Sequence, residues 1–317
     1  ASGAIAGVTI GSVLACFYSA GYVKGIVRSR DRKVEVNDRP DRPGKIFKSL
    51  FSIAIPVVLG SSVLHLINLI DTKLIMKLLQ DKAGLDVNAA AALFGVYGKV
   101  QTLFNLPSAF IVPLTVSVIP AISAFAAKRK NAEAAETTRA SMKMTTLLAF
   151  PAGVGLSVLA RPIMNVLYPG SLAEGVGLLN ILGISSYFVC LCLITNAILQ
   201  AYGHERLPIF TIIIGGVIKI CIAYVLIGNP KYGIYGAAIS TLICDAVIAV
   251  LNLLLTKIVV PKAPSYRKIF IMPVICSLVM GVAAYGSYSL LEKSMGFLGK
   301  YSMLVSMALA IIIAVIV

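Results

Sequence analysis

The sequence predicts an all-α, polytopic membrane helix bundle, and three observations predict it. Of 317 residues, 58% are hydrophobic and only 13% are charged, against about 25% charged in a soluble domain. The mean hydropathy is +0.92, and the apolar residues run unbroken where a soluble helix shows a one-sided stripe. Finally, 28 Lys and Arg stand against 13 Asp and Glu, and they gather in alternate loops. A nucleic-acid-binding surface needs its cations on a folded polar face, which this chain lacks. Cytoplasmic loops that fix membrane orientation account for the excess.

A span needs ~20 mostly apolar residues to cross ~30 Å of hydrocarbon. The sequence offers nine: 1–23, 49–78, 93–126, 145–168, 176–202, 208–228, 235–256, 269–290 and 301–317. The first carries Gly3, Gly7 and Gly11, a double GxxxG stripe that makes a close-packing face. It opens at Ala1 with no basic n-region, so it is not a signal peptide. The chain is therefore expected to be the C-terminal part of a longer protein. The third span is over-long and holds Pro107, Pro113 and Pro120, which predict a bent or broken helix.

Loops 24–48, 127–144, 203–207 and 257–268 together hold 19 of the basic residues, and the alternate loops hold four. That asymmetry places the first set in the cytoplasm, with the Ala1 end outside and the Val317 end inside. Loop 24–48 carries 13 charges with Pro40 and Pro43 and reads as a connector between two bundles. Six cysteines lie inside apolar runs without metal-ligand spacing, so neither a disulfide framework nor a metal site is expected.

Ionisable groups inside a span are costly unless paired, so they point to function. Lys219 lies eleven residues past Pro208, and Asp245 lies twelve before Lys257 on the next, antiparallel span. At 1.5 Å per residue the two depths differ by ~2 Å. A Lys219–Asp245 ion pair near mid-membrane is the expected consequence, as a silent packing pair or as one that opens and re-forms. Asp71 lies in Asn68-Leu69-Ile70-Asp71-Thr72-Lys73 toward the outer end of span two, where it could simply reach water. His65 and Asn68 could carry a polar stripe inward from it.

Lys99, Gln101 and Asn105 precede the proline-rich part of span three. Carbonyls freed by proline are tolerated only against protein or a water-filled cavity, so this span is a candidate cavity wall. Lys99 is the candidate contact for an anionic headgroup, with Gln101 and Asn105 beside it. Arg161 reads as interfacial. Enzyme signatures are missing: Gly95-Val96-Tyr97-Gly98-Lys99 lacks the phosphate-loop spacing, and two histidines support no catalytic triad.

Several strings taken in order carry a resemblance. They are Ile55-Pro56, Ile67-Asn68-Leu69-Ile70-Asp71, Leu106-Pro107-Ser108-Ala109 and Val118-Ile119-Pro120-Ala121-Ile122-Ser123. Further along come Ile198-Leu199-Gln200-Ala201-Tyr202-Gly203, Lys219-Ile220 and Tyr235-Gly236-Ala237-Ala238-Ile239-Ser240-Thr241. The set resembles the polysaccharide-flippase branch of the multidrug/oligosaccharidyl-lipid/polysaccharide exporter superfamily. Within it, the likeness is to the stage V sporulation protein B-like proteins, relatives of lipid II flippases.

The resemblance implies two six-helix lobes followed by two further helices, as in MATE-like transporters. Residues 1–23 would then be the last helix of a truncated first lobe and 24–48 the cytoplasmic lobe connector. Residues 49–256 would form the C-terminal lobe and 257–317 the additional pair. It implies a bacterial cytoplasmic-membrane flippase that moves a polyprenyl-pyrophosphate-linked saccharide by alternating access. Its partners would be that substrate, membrane lipids and cell-wall synthesis proteins, with no nucleic acid and no cofactor.

Some such relatives are thought to couple to sodium or protons through an acid where Asp71 stands. Lys219 puts a cation into the same lobe, where a metal would want oxygen ligands. That argues for Lys219 as a built-in counter-ion to Asp245 or Asp71. A multidrug–cation antiporter and a non-transporting scaffold for cell-wall synthesis are the alternatives.

Overall fold

The computed structural model describes residues 43–294 except 83, 230 and 262–264, together with seven helical residues between 11 and 21. Spans one and nine as whole elements, loop 24–48 as far as residue 42, and the side chains of His65 and Asn68 lie outside the described residues. The chain divides into two compact units, Ala1–Ser52 and Ile53–Val317. In the first, the described residues are all helical.

The described elements are helices: α1 (Pro43–Asp81), α2 (Val87–Phe104), α3 (Leu106–Ala127), α4 (Asn131–Val158), α5 (Ala160–Leu167), α6 (Leu172–Ala201), α7 (Leu207–Ile227), α8 (Tyr235–Val259) and α9 (Tyr266–Ser294). Among the described residues, five stretches are long and apolar enough to cross a membrane: Leu106–Ala127, Pro169–Ala201, Leu207–Ile227, Tyr235–Val259 and Ile269–Ser289. The bent pair α4 and α5 makes a sixth if it is taken as one span. The all-α membrane bundle expected from composition is the fold.

Local chemistry explains where the helices stop. Asp86 caps α2, accepting from the Asn88 N–H at 3.3 Å. Only Asn105 separates α2 from α3, because Pro107 has no N–H to continue the ladder. Span three is thus two helices, while Pro113 and Pro120 are carried inside α3.

Between α3 and α4 the turn is shorter than expected. Lys130 N–H donates to Phe125 O and Arg129 N–H to Ala126 O, both at 3.0 Å, with Arg129 in the left-handed region at φ +54°. That is a Schellman-type ending. Residues 131–144, expected as loop, are the polar first half of α4. The other end of α4 bends by 74° into α5, where Pro162 cannot bond to the Val158 carbonyl.

Helix α6 is the centre of the second unit, packing against α2, α3, α4 and α8, while α7 closes on α8 and α9 on α4. Small residues set how closely it is approached. A Cβ on Gly183 would stand 2.7 Å from the Ser157 backbone nitrogen, and one on Gly153 would stand 2.7 Å from the Gly183 carbonyl oxygen. Backbone therefore meets backbone, the geometry that small residues permit between membrane helices.

Replacing Gly183 with valine must push α4 and α6 apart, and overpacking of this kind costs about 1–3 kcal/mol. Thermal unfolding in detergent is expected to show a lowered midpoint for Gly183→Val. Gly155→Ala, where a Cβ meets nothing within 4 Å, is expected to leave the midpoint unchanged.

Candidate functional site

Four helices bring polar side chains to one place inside the second unit. Lys219 of α7 meets Asp71 of α1, with Nζ 2.8 Å from Oδ2. Asp71 is 5% exposed and Lys219 7%, so the pair sits in the core. The expected Lys219–Asp245 pair is therefore not the one formed. Nor does Asp71 reach water as an interfacial residue would, although Lys73, two positions on, is exposed. Counting residues gave depth but not direction around the helix axis. On the loop-charge topology α1 and α7 both run outward, and the partner that Lys219 finds is the acid on α1.

Tyr97 of α2 and Thr241 of α8 complete this layer. Tyr97 is 1% exposed, and its hydroxyl lies 3.2 Å from Thr241 Oγ1. Thr241 already donates to the Ala237 carbonyl at 2.9 Å, so Tyr97 is the donor between them. Its ring hydroxyl is within electrostatic reach of both Lys219 and Asp71. Asp71 Oδ1 has no hydrogen-bond partner among the described residues.

One turn along α8 from Thr241, Asp245 is half-buried. Ser185 of α6 donates to its Oδ2 at 2.7 Å. A second polar layer lies about two helical turns further along α8, on the side that the loop-charge topology makes cytoplasmic. Asn252 Nδ2 donates to Asn196 Oδ1 at 2.8 Å, and Thr211 Oγ1 donates to Asn252 Oδ1 at 2.8 Å. Ile248 separates the two layers, packed so closely on Gly215 that a Cβ there would be 2.4 Å from its Cγ1.

The candidate headgroup residues do not converge. Tyr97, Gln101 and Asn105 recur every four residues and share one stripe of α2, with Gln101 beside the Tyr97 hydroxyl. Lys99 points elsewhere: Nζ donates to Ser171 Oγ at 3.0 Å and stands 5.7 Å from the Tyr168 ring centroid. Lys99 and Asn105 are exposed and Gln101 is half-buried. Arg161 is exposed at the start of α5.

Residues 2–311 match the family described as lipid II flippase MurJ. The chain belongs to that family. It is 27% identical to the uncharacterized membrane protein YabM of Bacillus subtilis over 80% of this chain and 46% of the relative. It is 25% identical to Protein DETOXIFICATION 45, chloroplastic, of Arabidopsis thaliana over 85% and 48% respectively. With stage V sporulation protein B of Bacillus subtilis the identity is 26%, over 62% and 38%. The chain spans less than half the length of each of these relatives.

The MurJ family is one of membrane transporters, so the resemblance read from the motifs holds, and the chain is a multi-pass component of the cytoplasmic membrane. Sequence reasoning reached Asp71, Lys219 and Asp245 because charge inside an apolar run is conspicuous. It passed over Tyr97, Thr241, Ser185, Asn196 and Asn252. The amides at 196 and 252 carried a readable signal, being polar residues deep in apolar spans.

In this MurJ-family chain the ion pair must be removed whole or not at all. Breaking a buried pair leaves an uncompensated charge and costs about 3–5 kcal/mol, whereas replacing both partners is often neutral. Lys219→Met is expected to lower the thermal midpoint strongly. The double variant Asp71→Asn/Lys219→Met is expected to recover most of the loss, measured by thermal unfolding in one detergent.

Proposed function

We propose that this chain forms the cavity-bearing second lobe of a flippase for a polyprenyl-pyrophosphate-linked saccharide, working by alternating access. On this reading, residues 1–23 are the last helix of the first lobe and 24–48 the connector. Residues 49–256 are the second lobe, and 257–317 are the two additional helices. The lipid tail stays in the bilayer while the headgroup crosses through a cavity between lobes. Membership of the MurJ family supports the class of cargo.

The observation that carries the choice of an anionic cargo is the state of the buried acid. Asp71 is already paired with an ammonium at 2.8 Å, so a cationic drug would find no free charge there. Lys99, exposed on α2, offers a charge-assisted contact to a pyrophosphate. Gln101 and Asn105 lie on another face of the helix from Lys99 and would offer hydrogen-bonding groups there.

Sodium does not fit beside Asp71. A bound cation wants oxygen ligands, and the position facing Oδ2 is held by the Lys219 ammonium. Lys219 therefore acts as a tethered cation, and the coupling pair is Asp71–Lys219.

The test uses the full-length protein in proteoliposomes and follows transbilayer movement of a fluorescent polyprenyl-pyrophosphate disaccharide. Movement is expected without a sodium gradient. Lys99→Glu is expected to weaken substrate binding about tenfold, the equivalent of ~1.4 kcal/mol. Failure to move such lipids, together with uptake of a cationic dye, would turn the assignment to a drug antiporter.

A further inference from the structure

One ammonium and two carboxyls meet within this lobe, and their charges do not balance. Lys219 neutralises Asp71 at 2.8 Å. Asp245 is held by a neutral donor, Ser185 Oγ at 2.7 Å, and makes no ion pair among the described residues. The groups facing it are Ser185 and Cys192 from α6, Lys219 from α7 and Cys244 beside it on α8. Among these Lys219 is the one cation, and it is already engaged. An unpaired carboxylate inside a membrane protein is expensive, whereas a carboxylic acid accepting from a serine is not. The cluster is neutral when it holds one proton beyond those of Lys219.

We infer that Asp245 is the proton-carrying carboxyl of this lobe, protonated while Lys219 pairs with Asp71 and ionised when Lys219 turns to it. The inference deepens the transport reading and rests on it for its role in a cycle. In the exchange Lys219 keeps its three protons, and the acid proton leaves Asp245 Oδ for water. Asp71 is then left without its cation and takes up a proton in turn, so the cluster remains neutral. A single side-chain swing thus links carboxyl protonation to the arrangement of α1, α7 and α8.

Both acids act on the same ammonium. Asp245 lies within electrostatic reach of Lys219, and Asp71 Oδ1 is left without a hydrogen bond among the described residues. Asp245 as a residue is half-buried. The amide layer of Asn196, Asn252 and Thr211 lies about two helical turns further toward the cytoplasm, behind Ile248.

Infrared titration of the purified chain in detergent reads this directly, through the carbonyl stretch of protonated carboxyl groups. At neutral pH the native chain is expected to show one such band that is missing in Asp245→Asn. Ser185→Ala is expected to shift its frequency, because it removes the one neutral donor to that group. Asp71→Asn is expected to abolish the band, since Lys219 is then free to pair with Asp245 and hold it ionised. Lys219→Met is expected to strengthen carboxylic-acid absorption, with Asp71 protonated as well.

A native chain whose band survives Asp245→Asn and ignores Ser185→Ala would overturn the inference. So would an Asp245 band that persists at full strength in Asp71→Asn. The readout is independent of cargo: the expected bands without lipid movement would remove the flippase reading alone. Lipid movement without an Asp245 band would remove the proton assignment alone.

Discussion

The arrangement of the lobe depends on one constraint, that a charge inside the bilayer must be met by another. The Asp71–Lys219 contact at 2.8 Å is worth roughly 6 kcal/mol at an effective dielectric of about 20. Stripping water from each ion costs several kcal/mol. The two effects are of similar size, so the pair adds little net stability. What it adds is position. Helix α1 is tied to α7 at one rotation about its axis, and the aromatic and hydroxyl neighbours Tyr97 and Thr241 are ordered around that contact.

Around the pair the polar groups are arranged in layers rather than scattered. Tyr97 and Thr241 lie with the ions, Ser185 and Asp245 lie one turn along α8, and the Asn196–Asn252–Thr211 network lies beyond Ile248. Each layer is tied across helices by hydrogen bonds or an ion pair, with Asp71 Oδ1 left without a partner among the described residues. Ile248, packed on Gly215, stands between the ion layer and the amide network.

Much of this was legible in the sequence, and the failures have specific physical causes. Spans five to eight correspond to α6–α9 within a few residues, because hydropathy reports the solvent a helix crosses. The break at Asn105 was readable from Pro107. The first half of α4 was not, since a polar helix leaving the membrane has the hydropathy of a loop. Residue counting set Lys219 and Asp245 at similar depth, yet depth along two antiparallel helices says nothing of azimuth. The true partner came from α1, more than a hundred residues upstream, through a contact that residue counting between neighbours cannot reveal. Lys99 and Gln101 were grouped by proximity in sequence, although two residues turn a helix by about 200°.

The backbone contact between Gly153 and Gly183 has a mechanical consequence. With no side chain between them to compress or change rotamer, α4 and α6 can neither slide nor roll without collision, so they behave as one stiff keel. Compliance must then be found elsewhere. Asn105 is the natural place, for a single residue joins α2 to α3 there and the proline beyond it has already removed a ladder bond. A change of axis at that point would disturb few hydrogen bonds. It would swing the Tyr97–Gln101–Asn105 stripe while the keel held the rest of the lobe in register.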